Sequence, residues 1–452
     1  MTADVVVIGG GFAGLTTAVP LAEAGLVVVV VEEAPRLGGR ASAFTDQFTG
    51  ERVDNGQHVL FGCYHETYRF LKAIGTDALA PLDRRLRVAI AGETLRPAAL
   101  SCPPLPAPWH LAAAILKWNA VSLRDRMRAL ALAPALRSRP DGTALSSITV
   151  SEWLRAHRQP PSLCRWLWHP LAVAALNQSP DSAAAGPFVE VLRQLFGGRA
   201  IDSAIGVPSV PLDELFALPA ARFVDAHGGR VLTKTPARVG LDARDRITHV
   251  VAGDMRISTD IVVSAVPWHA VTRIWERTVP AAMTEVAAVA AAMEALPILT
   301  ANLWFDRPFM PEKFVGLVDG PMHWAFDKSR IFGGEAGHIS MVSSGAVDLV
   351  DLDRDAVTEM ARAQLDRTLP GARGAQLRRS IVVRERRATF SVAPGSPARP
   401  STRTGLPGFF LAGDWTDTGL PGTIESAALS GRRAAEAVLE FRSRGTRHNR
   451  PE

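Results

Sequence analysis

The sequence contains few cysteines, and they are not arranged for a cross-linked or metal-binding fold. Cys63, Cys102 and Cys164 are odd in number, lie far apart and form no Cys-x-x-Cys pair. We therefore expect reduced thiols, with neither a disulfide framework nor a cysteine metal site. No serine–histidine–acid signature and no other metal-ligand spacing is found, so no metal is predicted.

The chain also lacks a continuous apolar run of about 18 residues, which is the length that a membrane-spanning helix needs. The nearest candidates are interrupted by charged residues such as Glu23, Lys117 and Glu294. The first strand begins almost at once, without the basic leader and apolar core of a secretory signal. We expect a cytoplasmic protein, and peripheral contact with the inner face of the cytoplasmic membrane is left open.

Length and composition are those of an ordinary globular protein. The 452 residues are 47% hydrophobic and 21% charged, which suits two domains. The net charge is +5, but the basic residues are nearly all arginine and are scattered. A nucleic-acid partner is therefore not expected.

One local cluster, from Trp109 to Arg139, combines large apolar side chains with several arginines. Such a segment is typical either of a helix that faces the core with a solvated arginine face or of a helix in a bilayer interface. We favour the core-facing helix on sequence grounds and keep the interfacial alternative open.

The first 32 residues have the pattern of a strand, a glycine-rich turn, a helix and a second strand. An apolar run at 5–8 precedes the turn, a helix is predicted over 12–24 with a kink at Pro20, and a valine run at 27–31 ends at Glu32. In a nucleotide-binding unit the glycines allow a tight turn, access to a pyrophosphate and close packing of helix on strand, while the acid accepts from a ribose diol. The cofactor-binding residues predicted here are Gly9, Gly11, Phe12, Ala13, Gly14 and Glu32.

Two further segments narrow the nucleotide to a flavin. Residues 33–40, Glu-Ala-Pro-Arg-Leu-Gly-Gly-Arg, resemble the extended fingerprint of the FAD-dependent amine oxidase and phytoene desaturase superfamily. Residues 408–415 and 419–427 resemble the superfamily's Gly-Asp unit near the flavin ribityl chain and phosphate and its helix start beside the isoalloxazine. Residues 231–239 and 261–268 resemble its adenine-side strand and its Ser-Ala-Val-Pro turn. The resemblance implies FAD and adds the cofactor-binding residues Glu33, Gly38, Gly39, Arg40, Gly56, Gln57, His58, Val239, Ala265, Gly413, Asp414, Gly422, Thr423 and Ile424.

The same resemblance implies an α/β fold with two domains. The Rossmann-type FAD-binding domain would be discontinuous, with pieces at 1–80, 208–270 and 398–440. An inserted α+β substrate domain would comprise 81–207, which looks helical, and 271–397, with strands at 299–305 and 339–343. Residues 441–452 are expected to form a flexible tail.

Three other stretches resemble the hydroxysqualene dehydroxylases of bacterial hopanoid biosynthesis. These are 53–67, with Asp-Asn-Gly-Gln-His, then 168–177, and finally 302–306 together with 323–328. The resemblance implies that reduced FAD gives a hydride to hydroxysqualene, that the hydroxyl leaves as water and that squalene results. An electron donor, which the sequence does not identify, would be required.

The leaving hydroxyl needs a proton, and three residues are candidates for its source. His58 comes first because its unperturbed pKa suits acid chemistry near neutrality, although it could equally shape the flavin pocket. Asp54 and Tyr64 follow, but Asp54 could simply hold its own loop and Tyr64 could be a buried aromatic with a satisfied hydroxyl.

Three other functions stay open. A carotenoid or phytoene desaturase would run the hydride in the opposite direction, from a C–H bond to oxidised FAD. A flavin-stabilised binding partner of polyprenyl enzymes would not turn over. An amine oxidase is less favoured, because the aromatic pair expected around an amine cannot be placed in this sequence.

Overall fold

The computed structural model contains both helices and strands and describes residues 1–93, 98–137, 142–334 and 336–448. The α-helices are α1 (Phe12–Glu23), α2 (His65–Ala73), α3 (Trp109–Lys117), α4 (Leu123–Leu130), α5 (Ala133–Arg137), α6 (Gly142–Ser146), α7 (Val150–Ala156), α8 (Pro161–Leu163), α9 (His169–Leu176), α10 (Ala185–Phe196), α11 (Leu218–Ala226), α12 (Thr284–Ala292), α13 (Lys328–Phe332), α14 (Arg354–Thr368) and α15 (Ile424–His448). The strands are β1 (Val5–Ile8), β2 (Val28–Val31), β3 (Ala43–Thr45), β4 (Arg52–Asp54), β5 (Leu60–Phe61), β6 (Leu82–Asp83), β7 (Arg87–Ala91), β8 (Ala98–Ser101), β9 (Ile205–Gly206), β10 (Arg230–Leu232), β11 (Ala237–Leu241), β12 (Ile247–Ala252), β13 (Met255–Ser258), β14 (Val262–Ser264), β15 (Ala295–Phe305), β16 (Phe314–Leu317), β17 (Trp324–Asp327), β18 (His338–Ser344), β19 (Leu377–Phe390) and β20 (Phe409–Leu411).

The predicted strand, turn, helix and strand at the N-terminus are confirmed as β1, α1 and β2. The two strands are parallel neighbours, with Val5 opposite Val28. All their side chains are buried, as expected of a parallel sheet that is covered on both faces. Helix α1 continues through Pro20 to Glu23.

A five-stranded parallel sheet has the strand order β10-β2-β1-β14-β20. Val5 and Val7 of β1 pack with α1, α11 and α15 on one face. Val6 and Ile8 pack on the other face against the antiparallel sheet β11-β12-β13. All five strands lie in the segments that the sequence assigns to FAD binding, and the exact domain boundaries stay predictions.

A second, seven-stranded sheet has the order β19-β15-β18-β17-β16-β7-β8. The strands predicted at 299–305 and 339–343 are confirmed as parts of β15 and β18, which pair antiparallel. Leu299, Ala301 and Leu303 of β15 pack into a core shared with α14. Thr300 and Asn302 alternate with them, so their side chains lie on the opposite face of the sheet.

Two predictions about local structure are wrong. Residues 231–239 form two strands, β10 and β11, because Lys234 adopts a φ of +54° and Pro236 follows it. The predicted tail is helical as far as His448, and Arg442 of α15 contacts Asp4 Oδ1 at 2.6 Å. Residues 449–452 of that tail lie outside the described residues.

A helical layer dominates the region from α3 to α10, as predicted, and encloses its own apolar core. No helix among the described residues is both long and apolar enough to cross a membrane.

Candidate functional site

The turn between β1 and α1 admits no side chains at its tightest points. Gly9 has a φ of +113°, and a Cβ on Gly14 would lie 1.9 Å from the Gly9 carbonyl oxygen. Gly11 is the N-cap of α1 and supplies no side-chain cap, and the first turn has no acidic residue. The N–H groups of this first turn, which begins at Phe12 and Ala13, therefore fit a pyrophosphate.

Glu32 lies beside this turn at the end of β2. Its Oε2 accepts from the Gly10 N–H at 2.7 Å, and its Oε1 accepts from the Ala34 N–H at 2.8 Å. Each carboxylate oxygen retains a further lone pair, which a ribose hydroxyl could use. Glu33, in contrast, is exposed.

A second pair of glycines, Gly38 and Gly39, lies close to the turn between β1 and α1. Gly38 pairs with Gly11, and a Cβ on Gly39 would lie 3.4 Å from the Gly11 Cα. The next residue, Arg40, connects to the other end of the chain: its Nη2 donates to Asp414 Oδ1 and its Nη1 to the Ala388 carbonyl, both at 2.6 Å. The structure thus brings together the two FAD motifs predicted near residues 40 and 414.

The C-terminal motif is built around the start of α15. Gly413 has a φ of +146° and donates its N–H to Ser430 Oγ at 2.8 Å. A Cβ on Gly422 would lie 3.3 Å from Asp414 Oδ2. Thr423 caps α15 by accepting from the Ser426 N–H at 3.1 Å, and Ile424 begins the helix.

Two further predicted cofactor-binding residues, Ala265 and Val239, lie in different places. Ala265 lies beside the glycine turn, where its carbonyl oxygen would be 2.8 Å from a Cβ on Gly9. Val239 is buried in β11, donates its N–H to Ile274 O and accepts from the Glu276 N–H. Both main-chain groups of Val239 are thus paired within the protein, and its contact with adenine stays a prediction.

The loop from Asp54 to His58 is fastened by a buried ion pair that the sequence analysis missed. Lys328, at the start of α13, donates from Nζ to Asp54 Oδ2 at 3.1 Å and also to Gln57 Oε1. Asp54 Oδ1 accepts from the Leu212 N–H at 3.2 Å. Asp54 therefore joins distant segments, and the interpretation that it only holds its own loop is wrong.

Histidine 58 has one ring nitrogen engaged in this loop. Its Nδ1 lies 3.0 Å from the Gly56 carbonyl oxygen, to which it donates, so the neutral ring carries its lone pair on Nε2. Burial lowers the pKa of His58, and the nearby Lys328 and Arg40 cations act in the same direction, whereas Asp54 and the Gly56 carbonyl oppose the shift. The neutral imidazole is therefore favoured at rest.

Burial also lowers the pKa of Lys328, and the Asp54 carboxylate opposes this shift. The ammonium group lies 3.8 Å from the Phe332 ring centroid, which stabilises its charge further. With Asp54, Gln57 and Phe332 around it, Lys328 is suited to hold the loop in place.

Tyr64 occupies the N-cap position of α2 rather than a place in this cluster. Burial raises the pKa of Tyr64, so its hydroxyl stays protonated. The adjacent helix start is held by Glu425, whose carboxylate accepts from the Glu66 N–H and the Thr67 N–H at 2.9 Å and from Thr67 Oγ1 at 2.8 Å. Glu425 thus ties α2 to α15.

One face of the seven-stranded sheet carries two unusual polar atoms. Thr300 Oγ1 and Asn302 Nδ2 are buried and have no hydrogen-bond partner among the described residues. Thr300 Oγ1 lies 3.6 Å from where a Cβ on Gly56 would be. A buried polar atom without a partner is costly, so these atoms mark a place suited to a polar ligand group.

Comparison with known proteins places this arrangement in a family. Residues 12–439 match the family model described as flavin containing amine oxidoreductase. The chain belongs to the flavin containing amine oxidoreductase family. FAD is the cofactor, and the protein is an FAD-dependent oxidoreductase, as the two motifs joined by Arg40 and Asp414 predicted.

Within this family, the chain is similar to hydroxysqualene dehydroxylases. It is 30% identical to that of Sinorhizobium fredii over 453 residues, which covers 97% of this chain and 99% of the relative. It is also 30% identical to the hydroxysqualene dehydroxylase of Rhodopseudomonas palustris, over 97% of this chain and 99% of that relative. A zeta-carotene desaturase of Arabidopsis thaliana is 24% identical. The alignment covers 96% of this chain and 85% of the desaturase.

The predicted amine oxidase-like fold is confirmed by solved structures. An oxidoreductase from Methanosarcina mazei superposes with a TM-score of 0.74 at 17% identity, over 96% of this chain and 100% of that one. A putrescine oxidase bound to putrescine superposes with a TM-score of 0.71 at 16% identity, over 97% of this chain and 99% of the oxidase.

Proposed function

We propose that this oxidoreductase removes the hydroxyl group of hydroxysqualene reductively and releases squalene and water. When bound and reduced, FAD supplies the hydride. The allylic C–O bond breaks, a C–H bond forms at the same carbon, and the leaving oxygen takes a proton to become water. A separate electron donor, of unidentified chemistry, restores the reduced cofactor. The similarity to two hydroxysqualene dehydroxylases supports this reaction.

The observation that carries the proposal is the unpartnered hydroxyl of Thr300. It lies on the sheet face that meets Gly56 of the Asp54–His58 loop, and Asn302 Nδ2, also without a partner among the described residues, belongs to the same strand face. A hydrocarbon offers no hydrogen bond to such atoms, whereas the hydroxyl of hydroxysqualene does. We infer that Thr300 orients the departing hydroxyl.

His58 is our candidate for the proton donor. Since its Nδ1 faces the Gly56 carbonyl, Nε2 is the atom that exchanges the proton. Its lowered pKa makes the protonated ring a stronger acid than a free histidine, although a less populated one. Asp54 is engaged by Lys328, and the raised pKa of the buried Tyr64 makes its hydroxyl a weaker acid than a protonated histidine, so we rank both below His58 for this role.

The hydrocarbon chain of the substrate needs an apolar environment, which begins directly after His58. Val59, Val207 and Phe314 are partly buried and pack against two apolar clusters at once, the helical core of α3 to α10 and the cluster around Phe326. Trp324 and Phe332 complete the second cluster. A long polyprenyl chain is suited to this surface.

The test is anaerobic. Pre-reduced, FAD-loaded protein is mixed with hydroxysqualene, flavin oxidation is followed by absorbance, and the lipid is identified by mass spectrometry. We expect squalene together with oxidised flavin. Thr300→Val should slow this step, while Thr284→Val, which changes an exposed residue at the start of α12, should not.

The second candidate is a carotenoid-type desaturase, which the similarity to zeta-carotene desaturase favours. That reaction requires oxidised flavin to bleach on addition of phytoene. If the reduced flavin stays reduced with hydroxysqualene and the oxidised enzyme bleaches with phytoene, the desaturase replaces our proposal.

A further inference from the structure

We propose that α3 and α4 form a docking surface for an anionic lipid bilayer. This inference deepens the proposed function, on which it rests for the choice of a lipid as the occupant, because a polyprenyl substrate and product reside in membranes. The docking surface consists of the apolar ridge Leu105, Trp109, Leu116, Leu123 and Met127 and of three neighbouring cations, Lys117, Arg124 and Arg128.

The apolar ridge is exposed where a soluble helix would be polar. Trp109 is 65% exposed, Leu123 64% and Met127 53%. Five of the thirteen large apolar side chains that are exposed among the described residues lie between 105 and 127. Their concentration in one short stretch is unlike the scattered apolar residues of an ordinary surface.

The helical spacing places these residues in stripes. Trp109 and Leu116 are seven residues apart on α3, and Leu123 and Met127 are four apart on α4. Trp118 is buried, as the core-facing interpretation of this segment requires. That interpretation is wrong for Trp109, Leu116 and Met127, and Arg139 of the same segment lies outside the described residues.

Charge complementarity selects an anionic surface. Lys117, Arg124 and Arg128 form no ion pair with any described residue, whereas Arg126 is used internally and donates to the Val121 and Leu116 carbonyls. Cations beside an apolar stripe are the arrangement that binds acidic lipid headgroups while apolar side chains enter the acyl boundary.

The docking surface is held rigidly and is continuous with the site. Arg126 fixes the turn between the helices, and Ser122 caps α4 by accepting from the Asp125 N–H. Trp118 and Ala114, on the inner side of these helices, belong to the apolar core against which Val59 and Phe61 pack. The bilayer surface thus adjoins the core that reaches the residue after His58.

The experiment measures sedimentation of FAD-loaded protein with vesicles of phosphatidylglycerol or of phosphatidylcholine, without substrate. We expect binding to phosphatidylglycerol that weakens with salt, and a loss of about tenfold or more for Leu123→Ser/Met127→Ser. The matched control is Val347→Ser/Leu352→Ser, which removes exposed apolar side chains elsewhere and should bind like the wild type. Lys117→Gln/Arg124→Gln should abolish the preference for phosphatidylglycerol.

Three outcomes would overturn the proposal: no vesicle binding by the wild type, equal losses in the ridge and control variants, or a dimer that the ridge variant alone dissociates in ultracentrifugation. Retained flavin absorbance shows that each variant is folded. Turnover of detergent-dispersed hydroxysqualene should persist in the ridge variant, so failure of the proposed function is distinguished from failure of bilayer docking.

Discussion

Lys328 Nζ lies 3.1 Å from Asp54 Oδ2, and both side chains are only 3% exposed although 274 residues separate them. One partner begins α13 in the seven-stranded-sheet region, and the other ends β4 and begins the Asp54–His58 loop. Buried charges are tolerated only when they are paired and hydrogen-bonded, so this pair fixes the position of the loop relative to the sheet.

Removing one member of this pair should destabilise the protein strongly. We expect Lys328→Met to lower the free energy of unfolding by about 3–5 kcal/mol, because the Asp54 carboxylate stays buried without its cation. Urea denaturation measures the change. The exposed Lys72→Met is the control and should change stability by less than about 0.5 kcal/mol. The double variant Asp54→Asn/Lys328→Met should lose less than the sum of the single losses, and strict additivity would argue against coupling.

Substituting Arg40 should weaken FAD binding even when its charge is kept. Its two guanidinium nitrogens reach Asp414 and the Ala388 carbonyl at once, and a lysine ammonium cannot reproduce this planar fork. We expect Arg40→Lys to raise the FAD dissociation constant at least about tenfold, which equals about 1.4 kcal/mol. Flavin fluorescence titration gives the value, with the exposed Arg36→Lys as control. An unchanged affinity in a folded Arg40→Lys protein would refute the role.

The pH dependence of turnover tests His58 as the acid. A general acid acts only when protonated, and the pKa of His58 is lowered from 6.5, so kcat/KM should fall as the pH rises through a value below 6.5. His58→Gln should remove this decrease of kcat/KM with rising pH and reduce turnover about 100-fold while FAD stays bound. His227→Gln, which replaces an exposed histidine with the same type of Nδ1 contact to a carbonyl, should behave like the wild type. Loss of flavin from His58→Gln would instead indicate a cofactor-binding role.

Acid should destabilise the fold through His323. Its Nδ1 accepts from the Ser344 N–H at 3.0 Å, and burial lowers its pKa to about 4. The unfolded chain takes up this proton first as the pH falls, so the stabilisation is complete above about pH 6.5 and is lost towards pH 4, by at most about 1.4 kcal/mol per pH unit. Urea midpoints between pH 4.5 and 7 should vary less in His323→Asn than in the wild type, and equal slopes would contradict the assignment.

The glycine turn and the acid beside it could be predicted because their signals are local. A glycine that needs φ > 0, such as Gly9, and an acid that ends a buried strand, such as Glu32, are constrained by their immediate neighbours. The partner of Asp54 could not be found in the same way. Lys328 stands in a segment that resembles the hydroxysqualene dehydroxylases, but only the packing of α13 against the loop brings its ammonium to a carboxylate.

The α3–α4 segment likewise has features that the local sequence predicts and features that depend on distant packing. Its helices and their heptad-like spacing follow from the residues, whereas the face that is buried depends on which neighbours cover it. Trp118 and Trp109 have the same side chain and lie nine residues apart, yet one is buried and the other exposed. Sequence alone does not distinguish them.

The contact between Arg40 and Asp414 also determines how late in biosynthesis the two ends of the chain can be joined. Asp414 leaves the ribosome 374 residues after Arg40, so the nascent chain carries its glycine turn for most of translation without the carboxylate that anchors the guanidinium. Glu425, which holds the start of α2, emerges later still. The glycine turn and the Gly-Asp unit can therefore be joined only late in synthesis, after residue 414 has emerged.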